Sequence, residues 1–158
     1  MTVVSDTGPL NYLLLIEAID LVPALYGPLL VPDVVAADLR HPGAPAAVRS
    51  WISRPPAWAS LERTAGPLNI PGLDPGEEAT LSLAQERHIA LLLMDERKGR
   101  QAATARGLRV TGTLGVVEAA AARGLISLPD ALRRLQQTSF RATPALYEAL
   151  LVRSRTVK

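Results

Sequence analysis

The sequence of 158 residues contains no cysteine, which excludes a disulfide scaffold and a zinc site built from thiolates. Aromatic residues make up only 4%, whereas hydrophobic residues reach 48%, so we expect a real core that is mainly aliphatic. The longest apolar runs have fewer than ten residues, and a membrane-spanning helix needs about twenty. No basic region precedes the first apolar run, so we expect no signal peptide, no membrane association and a cytoplasmic location.

Lysine is also scarce, since Lys98 and Lys158 are the only two and the other fifteen basic residues are arginines. Residues 1–79 carry four basic and nine acidic side chains, whereas residues 80–158 carry thirteen basic and six acidic ones. Scattered solvated charges would explain this asymmetry. An acidic metal pocket beside a surface that binds a polyanion would explain it as well.

Apolar segments alternate with helical patterns along the chain, whose length fits one domain over residues 1–158. Short apolar runs predict strands at 3–6, 29–31, 58–61 (an edge strand), 90–94 and 108–110. Apolar spacing, with proline at helix starts and glycine at helix ends, predicts helices at 10–17, 21–26, 33–39, 46–53, 75–89, 97–106, 129–137 and 144–153. A further helix is predicted to follow a turn at 112–115 and to run to residue 123. Residues 64–75 are predicted to form a loop. The pattern predicts an α/β fold in which helices cover both faces of a parallel sheet of four or five strands.

Acidic residues follow the first and the most apolar of the predicted strands, where Asp6 and Asp95 stand. Functional residues lie at the carboxyl ends of strands in a parallel sheet. Glu77 lies in the first turn of the helix that leads into the most apolar strand, and Asp38 lies late in the helix after the second strand. Such a fold can bring all four acids to one edge of the sheet.

A cluster of carboxylates is stable only where a cation neutralises it, and hard oxygen ligands suit Mg²⁺ or Mn²⁺. A metal so held beside a basic surface can cleave a phosphodiester, because it lowers the pKa of a bound water and stabilises charge on the phosphate. Each acid also has a structural explanation. Asp6 and Asp95 could cap the helices that follow them, Glu77 could be a first-turn acid favoured by the helix dipole, and Asp38 could be solvated. The joint pattern favours a metal.

Other chemistry has little support. His41 and His88 stand in unrelated polar contexts and are expected to be exposed, which argues against a nucleophile activated by histidine. No glycine-rich phosphate loop is present. Trp51 and Trp58 could stack on bases, but packing explains them better. A phosphate-accepting receiver domain would need a lysine after a late strand, and neither lysine stands there.

Several short motifs resemble those of PIN-domain proteins, in particular a subgroup related to the VapC toxins. They are VVSDTGPL at 3–10, DPGEEA at 74–79, LLMDERKGR at 92–100, GTLG at 112–115 and RGLI at 123–126. The resemblance spans roughly residues 2–150. It implies an α/β/α sandwich and an acidic site that binds Mg²⁺ or Mn²⁺ and hydrolyses RNA. By this similarity, Asp6, Glu77 and Asp95 are metal ligands and Asp38 is the fourth member.

The resemblance also suggests supporting roles and partners. Thr7 would hydrogen-bond a ligand carboxylate, Thr113 would contribute a hydroxyl near the site, and Arg97 and Arg100 would hold a phosphate or tether the loop. Arg97 is explained equally well as a surface arginine. The family usually carries glutamate where this chain has Asp38, which is one methylene shorter. The resemblance implies the toxin of a toxin–antitoxin pair, which dimerises and is inhibited by a small antitoxin. The alternative is a non-catalytic PIN-like module that binds nucleic acid or a protein.

Overall fold

The structure is a computed structural model that describes residues 1–66 and 68–156. The strands in this part of the chain are β1 (Val3–Ser5), β2 (Leu29–Pro32), β3 (Ala59–Glu62), β4 (Leu91–Leu93) and β5 (Arg109–Thr111). The helices are α1 (Thr7–Leu15), α2 (Leu21–Tyr26), α3 (Asp33–Arg40), α4 (Ala46–Ser53), α5 (Pro75–Glu86), α6 (Arg97–Ala105), α7 (Thr113–Ala122), α8 (Leu128–Gln136) and α9 (Pro144–Thr156). The predicted loop at 64–75 includes Pro67, which lies outside the described residues, as does Lys158.

All five strands pair in parallel, in the order β3-β2-β1-β4-β5. The chain therefore builds one half of the sheet outward from β1 through β2 to β3, and then returns to the other side of β1 for β4 and β5. The predicted edge strand is confirmed as β3. The central pair, β1 and β4, aligns Ser5 with Leu93, so both strands end at the same level of the sheet.

Alternate residues of the strands face opposite sides of the sheet, and each side is covered by helices. Val3 of β1 and Leu93 of β4 face a large aliphatic core formed with α1–α4 and α7–α9. Val4 and Leu92, the neighbours of those two residues, face a smaller core formed with α5 and α6. Because consecutive side chains on a strand point to opposite faces, this alternation requires two covering layers. The predicted α/β fold, a three-layer α/β/α sandwich, is confirmed.

Local sequence signals explain where most helices begin and end. Helix α5 starts with Pro75 after Asp74, as predicted, and α6 and α7 are followed by Gly107 and Gly124, which have φ angles of 75° and 72°. These left-handed conformations are the reason that glycine stops a helix there. The predicted start of the first helix at residue 10 is three residues late, because helix α1 already begins at Thr7. Proline is compatible with a first helical turn, so Pro9 continues this helix.

The tryptophans and histidines have the environments expected from the sequence. Trp51 and Trp58 are half-buried with ring centroids 6.0 Å apart, and both pack against the large core. His41 and His88 are exposed. None of the helices within the described part of the chain combines the length and the hydropathy that a bilayer-spanning segment needs.

Candidate functional site

The order of the strands reverses between β1 and β4, and the crevice at the carboxyl ends of these two strands is where open α/β sheets bind ligands. Asp6 follows β1 directly, and its backbone N–H donates to the carbonyl of Leu93 at 2.9 Å. Asp95 follows β4 after the buried Met94. The two strand-end acids therefore flank the reversal point.

Asp6 is buried, with 7% of its surface exposed. It occupies the N-cap position of α1, but its side chain makes no capping hydrogen bond. Helix capping therefore does not explain the presence of an acid at this position. The pKa of Asp6 is raised from 3.8 to about 7, and burial is the largest cause. The charges of Asp74, Glu77 and Asp38 contribute to this rise, whereas a hydrogen bond from the Thr7 backbone opposes it.

Glu77 serves the start of helix α5 with only one of its carboxylate oxygens. Its Oε1 accepts a hydrogen bond from the backbone N–H of Asp74 at 3.0 Å, and Asp74 Oδ1 accepts one from the Glu77 N–H at 2.8 Å. This capping box confirms a structural role. Glu77 Oε2, however, is buried and has no hydrogen-bond partner among the described residues. Burial raises the pKa of Glu77, and the charge of Asp74 adds to this effect.

Asp95 is bound by Thr113 and does not cap the helix that follows it. The backbone N–H of Thr113 donates to Oδ1 and its hydroxyl donates to Oδ2, both at 2.7 Å. The N-cap of α6 is Glu96 instead. Burial raises the pKa of Asp95, although the two bonds from Thr113 and the positive charge of Arg100 act in the opposite direction. Thr113 thus fixes the orientation of this carboxylate.

Asp38 lies on helix α3 and is exposed, unlike Asp6 and Glu77. Its Oδ2 accepts a hydrogen bond from the Thr7 hydroxyl at 2.9 Å. Since Thr7 directly follows Asp6 in the chain, this bond holds Asp38 close to Asp6. The shorter side chain of aspartate is therefore held at the site edge.

Asp74 belongs to the same cluster, although the sequence did not indicate it as a site residue. An ideal Cβ built on Gly76 would lie 3.0 Å from Asp6 Oδ1 and 3.4 Å from both Asp38 Oδ2 and Asp74 Oδ1. Three carboxylates thus converge on one glycine at the start of α5. The signal available in the sequence was the position of Asp74 three residues before Glu77, which fits capping and a site role equally.

Three further glycines leave space beside the acids. Ideal Cβ atoms would lie 3.2 Å from Asp95 Oδ2 at Gly8, 2.6 Å from Asp95 Oδ1 at Gly112, and 2.7 Å from Glu77 Oε2 at Gly99. Distances below about 3.0 Å are not tolerated without a shift. The carboxylates therefore occupy room that side chains at these positions would fill.

Arginines stand on the open side of Asp95. Arg97, Arg100 and Asp95 line a cavity of about 810 Å³ along helix α6, called here the basic cavity, together with Gln101 and Thr104. Both arginines are exposed, and the charge of Arg100 lowers the pKa of Asp95. The site thus combines buried acids with cations at its rim, as expected for a protein that receives a phosphate beside a metal.

The donor set suits a hard divalent cation, because Glu77 Oε2 is buried without a hydrogen-bond partner among the described residues and the pKa of Asp6 is raised by burial and by the acids around it. In their present positions, no three acidic or histidine side chains among residues 1–66 and 68–156 are arranged to hold one ion. The carboxylates nevertheless gather at one edge of the sheet, since three of them converge on Gly76. Their chemistry fits the metal, and side-chain rotations would have to complete its coordination.

A parallel sheet with buried acids at its reversal point defines a class of α/β/α domains with an acidic functional edge. The profile of a family described as PIN domain matches residues 2–156, and the chain belongs to this family. The PIN domain is a nuclease fold, generally found in metal-dependent ribonucleases, so its substrate is a nucleic acid. A comparison with curated proteins gives no significant match to this chain.

Proposed function

We propose that this protein is a metal-dependent endoribonuclease that hydrolyses RNA phosphodiester bonds. The observation that carries the proposal is the buried Asp6, whose pKa is about 7 and whose neighbours include three further carboxylates. A charge so enclosed is costly without a cation. The rim arginines Arg97 and Arg100 supply the complementary charge for a phosphate.

Asp6, Glu77 and Asp95 would hold Mg²⁺ or Mn²⁺, with Asp38 as the fourth acid. The bound ion would supply Lewis-acid chemistry, making a water acidic and neutralising charge on the phosphate. The residues of the chain orient these ligands. Thr113 locks Asp95 by two hydrogen bonds, and the hydroxyl of Thr7 holds Asp38.

The biological role follows from the resemblance of the motifs to VapC-like proteins. We propose the toxin of a type II toxin–antitoxin pair, which acts on RNA in the cytoplasm as a homodimer. A small antitoxin would inhibit it by lying across the acidic site. A small reading frame beside this gene that encodes a DNA-binding fold would support this role.

Cleavage assays with Asp6→Asn and Asp95→Asn test the catalytic proposal. We expect the unmodified protein to cleave a mixed pool of single-stranded and structured RNAs with Mn²⁺, and both variants to lose this activity. Asp20→Asn is the matched control, because Asp20 is exposed at the start of α2 and makes no capping bond. Absence of cleavage of any RNA in Mn²⁺ would refute the proposal.

The second candidate is a PIN-like module that binds nucleic acid or a protein without catalysis. It is favoured by the shorter acid at Asp38 and by the absence, among the described residues, of three acids already placed for one ion. Under this alternative, RNA binding persists without cleavage and does not respond to Mn²⁺. Binding and cleavage measured on the same RNA therefore separate the two functions.

A further inference from the structure

A second cavity meets the basic cavity at the acidic site. It has a volume of about 680 Å³ and is lined by Tyr12, Asp95, Arg100, Phe140 and Arg141, among others; we call it the aromatic cavity. Asp95 and Arg100 line both cavities. A bound strand can therefore run from one cavity to the other while its phosphate passes Asp95.

Two aromatic rings form one wall of the aromatic cavity. Tyr12 of α1 and Phe140, which follows α8, pack edge to face with ring centroids 5.0 Å apart. The Tyr12 hydroxyl and the Ser139 hydroxyl are hydrogen-bonded at 3.1 Å, and the Phe140 N–H donates to Thr138 Oγ1 at 3.1 Å. Both rings are half-buried, so one part of each is held by the core while another part borders the cavity.

The arginines of this cavity are not engaged in ion pairs with described residues, although Asp95 and Glu96 line the same cavity. The ion pairs given by the structure instead involve Arg87, Arg133, Arg134 and Arg153. Arg100 and Arg141 are both exposed. The guanidinium group of Arg141 is therefore available for an anion that enters from solvent, and Arg100, whose charge also acts on Asp95, faces the same cavity.

We infer that the aromatic cavity binds one unstacked nucleotide of single-stranded RNA, next to the phosphate that lies at Asp95. The base would stack on the Phe140–Tyr12 wall, and Arg141 would contact a flanking phosphate. This assignment rests on the proposed function, since it supposes that RNA is the substrate. It adds a specificity element, because a paired base cannot leave its helix to enter the cavity without loss of pairing.

The combination of features favours RNA over a protein segment as the occupant. Aromatic rings beside exposed arginines are the arrangement that proteins use to bind single strands, with stacking and phosphate contacts on successive nucleotides. The cavity volume is within the usual range for a pocket that encloses a small molecule. A strand that reaches Asp95 from the basic cavity can continue into this space, because Asp95 and Arg100 line both cavities.

A double-mutant cycle, in which a base of the RNA and the ring of Phe140 are removed separately and together, tests the inference. A short labelled single-stranded RNA is scanned with one abasic site at a time, and its affinity for the unmodified protein and for Phe140→Leu is measured in EDTA. Because stacking on an aromatic ring contributes a factor of roughly 5 to 150 in affinity, we expect one position where loss of the base weakens binding to the unmodified protein by about 5- to 20-fold. In Phe140→Leu, loss of the same base has no further effect.

Matched variants separate stacking and charge from general damage. Phe140→Tyr keeps the ring and is expected to restore binding and the sensitivity to base loss. Arg141→Gln is expected to reduce the slope of log affinity against log salt concentration by about 0.7, the value for one phosphate contact on a single strand. Arg63→Gln, at an exposed position after the edge strand β3, is expected to leave the slope unchanged.

The outcomes distinguish this inference from the proposed function. Equal effects of every abasic site in the unmodified protein and Phe140→Leu would overturn the nucleotide site, even if Mn²⁺-dependent cleavage is observed. Equal affinity for a fully paired duplex of the same sequence would overturn it as well. Coupling between Phe140 and one base without any cleavage would support the nucleotide site and refute catalysis.

Discussion

The buried carboxylate of Asp6 allows a quantitative prediction about stability. Its pKa is about 7 in the folded chain and 3.8 without the protein environment. Since one pKa unit corresponds to about 1.4 kcal/mol, ionised Asp6 lowers the stability of the metal-free fold by about 4 kcal/mol above pH 7. Asp6→Asn removes this charge at nearly constant size, so we expect the variant to be more stable than the unmodified protein by up to about 4 kcal/mol at pH 8.

The difference should depend on pH in a defined direction. Between pH 3.8 and about 7, the folded state keeps the Asp6 proton that the unfolded state releases. The folded state therefore binds more protons, and stability falls as the pH rises through this window. Burial also raises the pKa values of Glu77 and Asp95, which act in the same direction in both proteins. The stability gain of the variant should thus vanish near pH 4.

Urea unfolding in EDTA, followed by tryptophan fluorescence at several values between pH 4 and pH 8, measures this difference. Asp20→Asn should leave stability unchanged, since Asp20 is exposed. Mg²⁺ should stabilise the unmodified protein by about 1.4 kcal/mol at ten times its Kd and should have less effect on Asp6→Asn. A variant that is less stable than the unmodified protein at pH 8 without metal, or a difference that does not change with pH, would refute the reasoning.

Substitutions at three further positions test the site. Thr113→Val removes the hydroxyl bond to Asp95 and keeps the backbone bond, so calorimetry should show Mn²⁺ affinity reduced roughly tenfold. Gly99→Ala places a Cβ against the buried Met94 Sδ and 2.7 Å from Glu77 Oε2, and urea unfolding should show a loss of about 1–3 kcal/mol. Asp38→Glu restores the length of the family acid, so kcat/KM on RNA should rise, whereas Asp38→Asn should lower it.

Each of these substitutions has a control at another position that carries the same residue type. Thr104→Val removes a hydroxyl that bonds only within α6, so metal affinity should not change. Gly43→Ala meets only the exposed His41 ring and should be nearly neutral in urea. Asp33→Glu changes an exposed acid of the same helix as Asp38. Equal effects in a substitution and its control would contradict the corresponding prediction.

The fold was predictable because its signals are local. The apolar run before Asp95, the prolines at helix starts and the glycines at helix ends each act over a few residues, and the strands and helices fall within about two residues of most expected bounds. The start of α1 was missed because residues 7–9 suit a turn and a first helical turn equally. The predicted run 90–94 also included Ala90, which is exposed and outside β4.

The site was less predictable, since its contacts join distant parts of the chain. The sequence indicated that Asp6 and Asp95 end strands of one parallel sheet and that Glu77 and Asp38 could lie at the same edge. It did not indicate that Asp74 converges on Gly76 with Asp6, because this proximity depends on how α5 packs against the sheet. Phe140 likewise reaches the site only through its packing on Tyr12, far away in sequence. Such pairs are set by tertiary packing.

Four glycines from different segments of the chain lie beside the acids. Gly8 and Gly112 approach Asp95, Gly99 approaches Glu77, and Gly76 approaches the cluster that contains Asp6. A single added methyl group at any of them would crowd an acid without altering the net charge or removing a ligand. The site can therefore be disabled by steric occlusion while its whole acidic set stays intact. A search for inactive variants of this protein has to include its uncharged positions, because the acids alone do not define a working site.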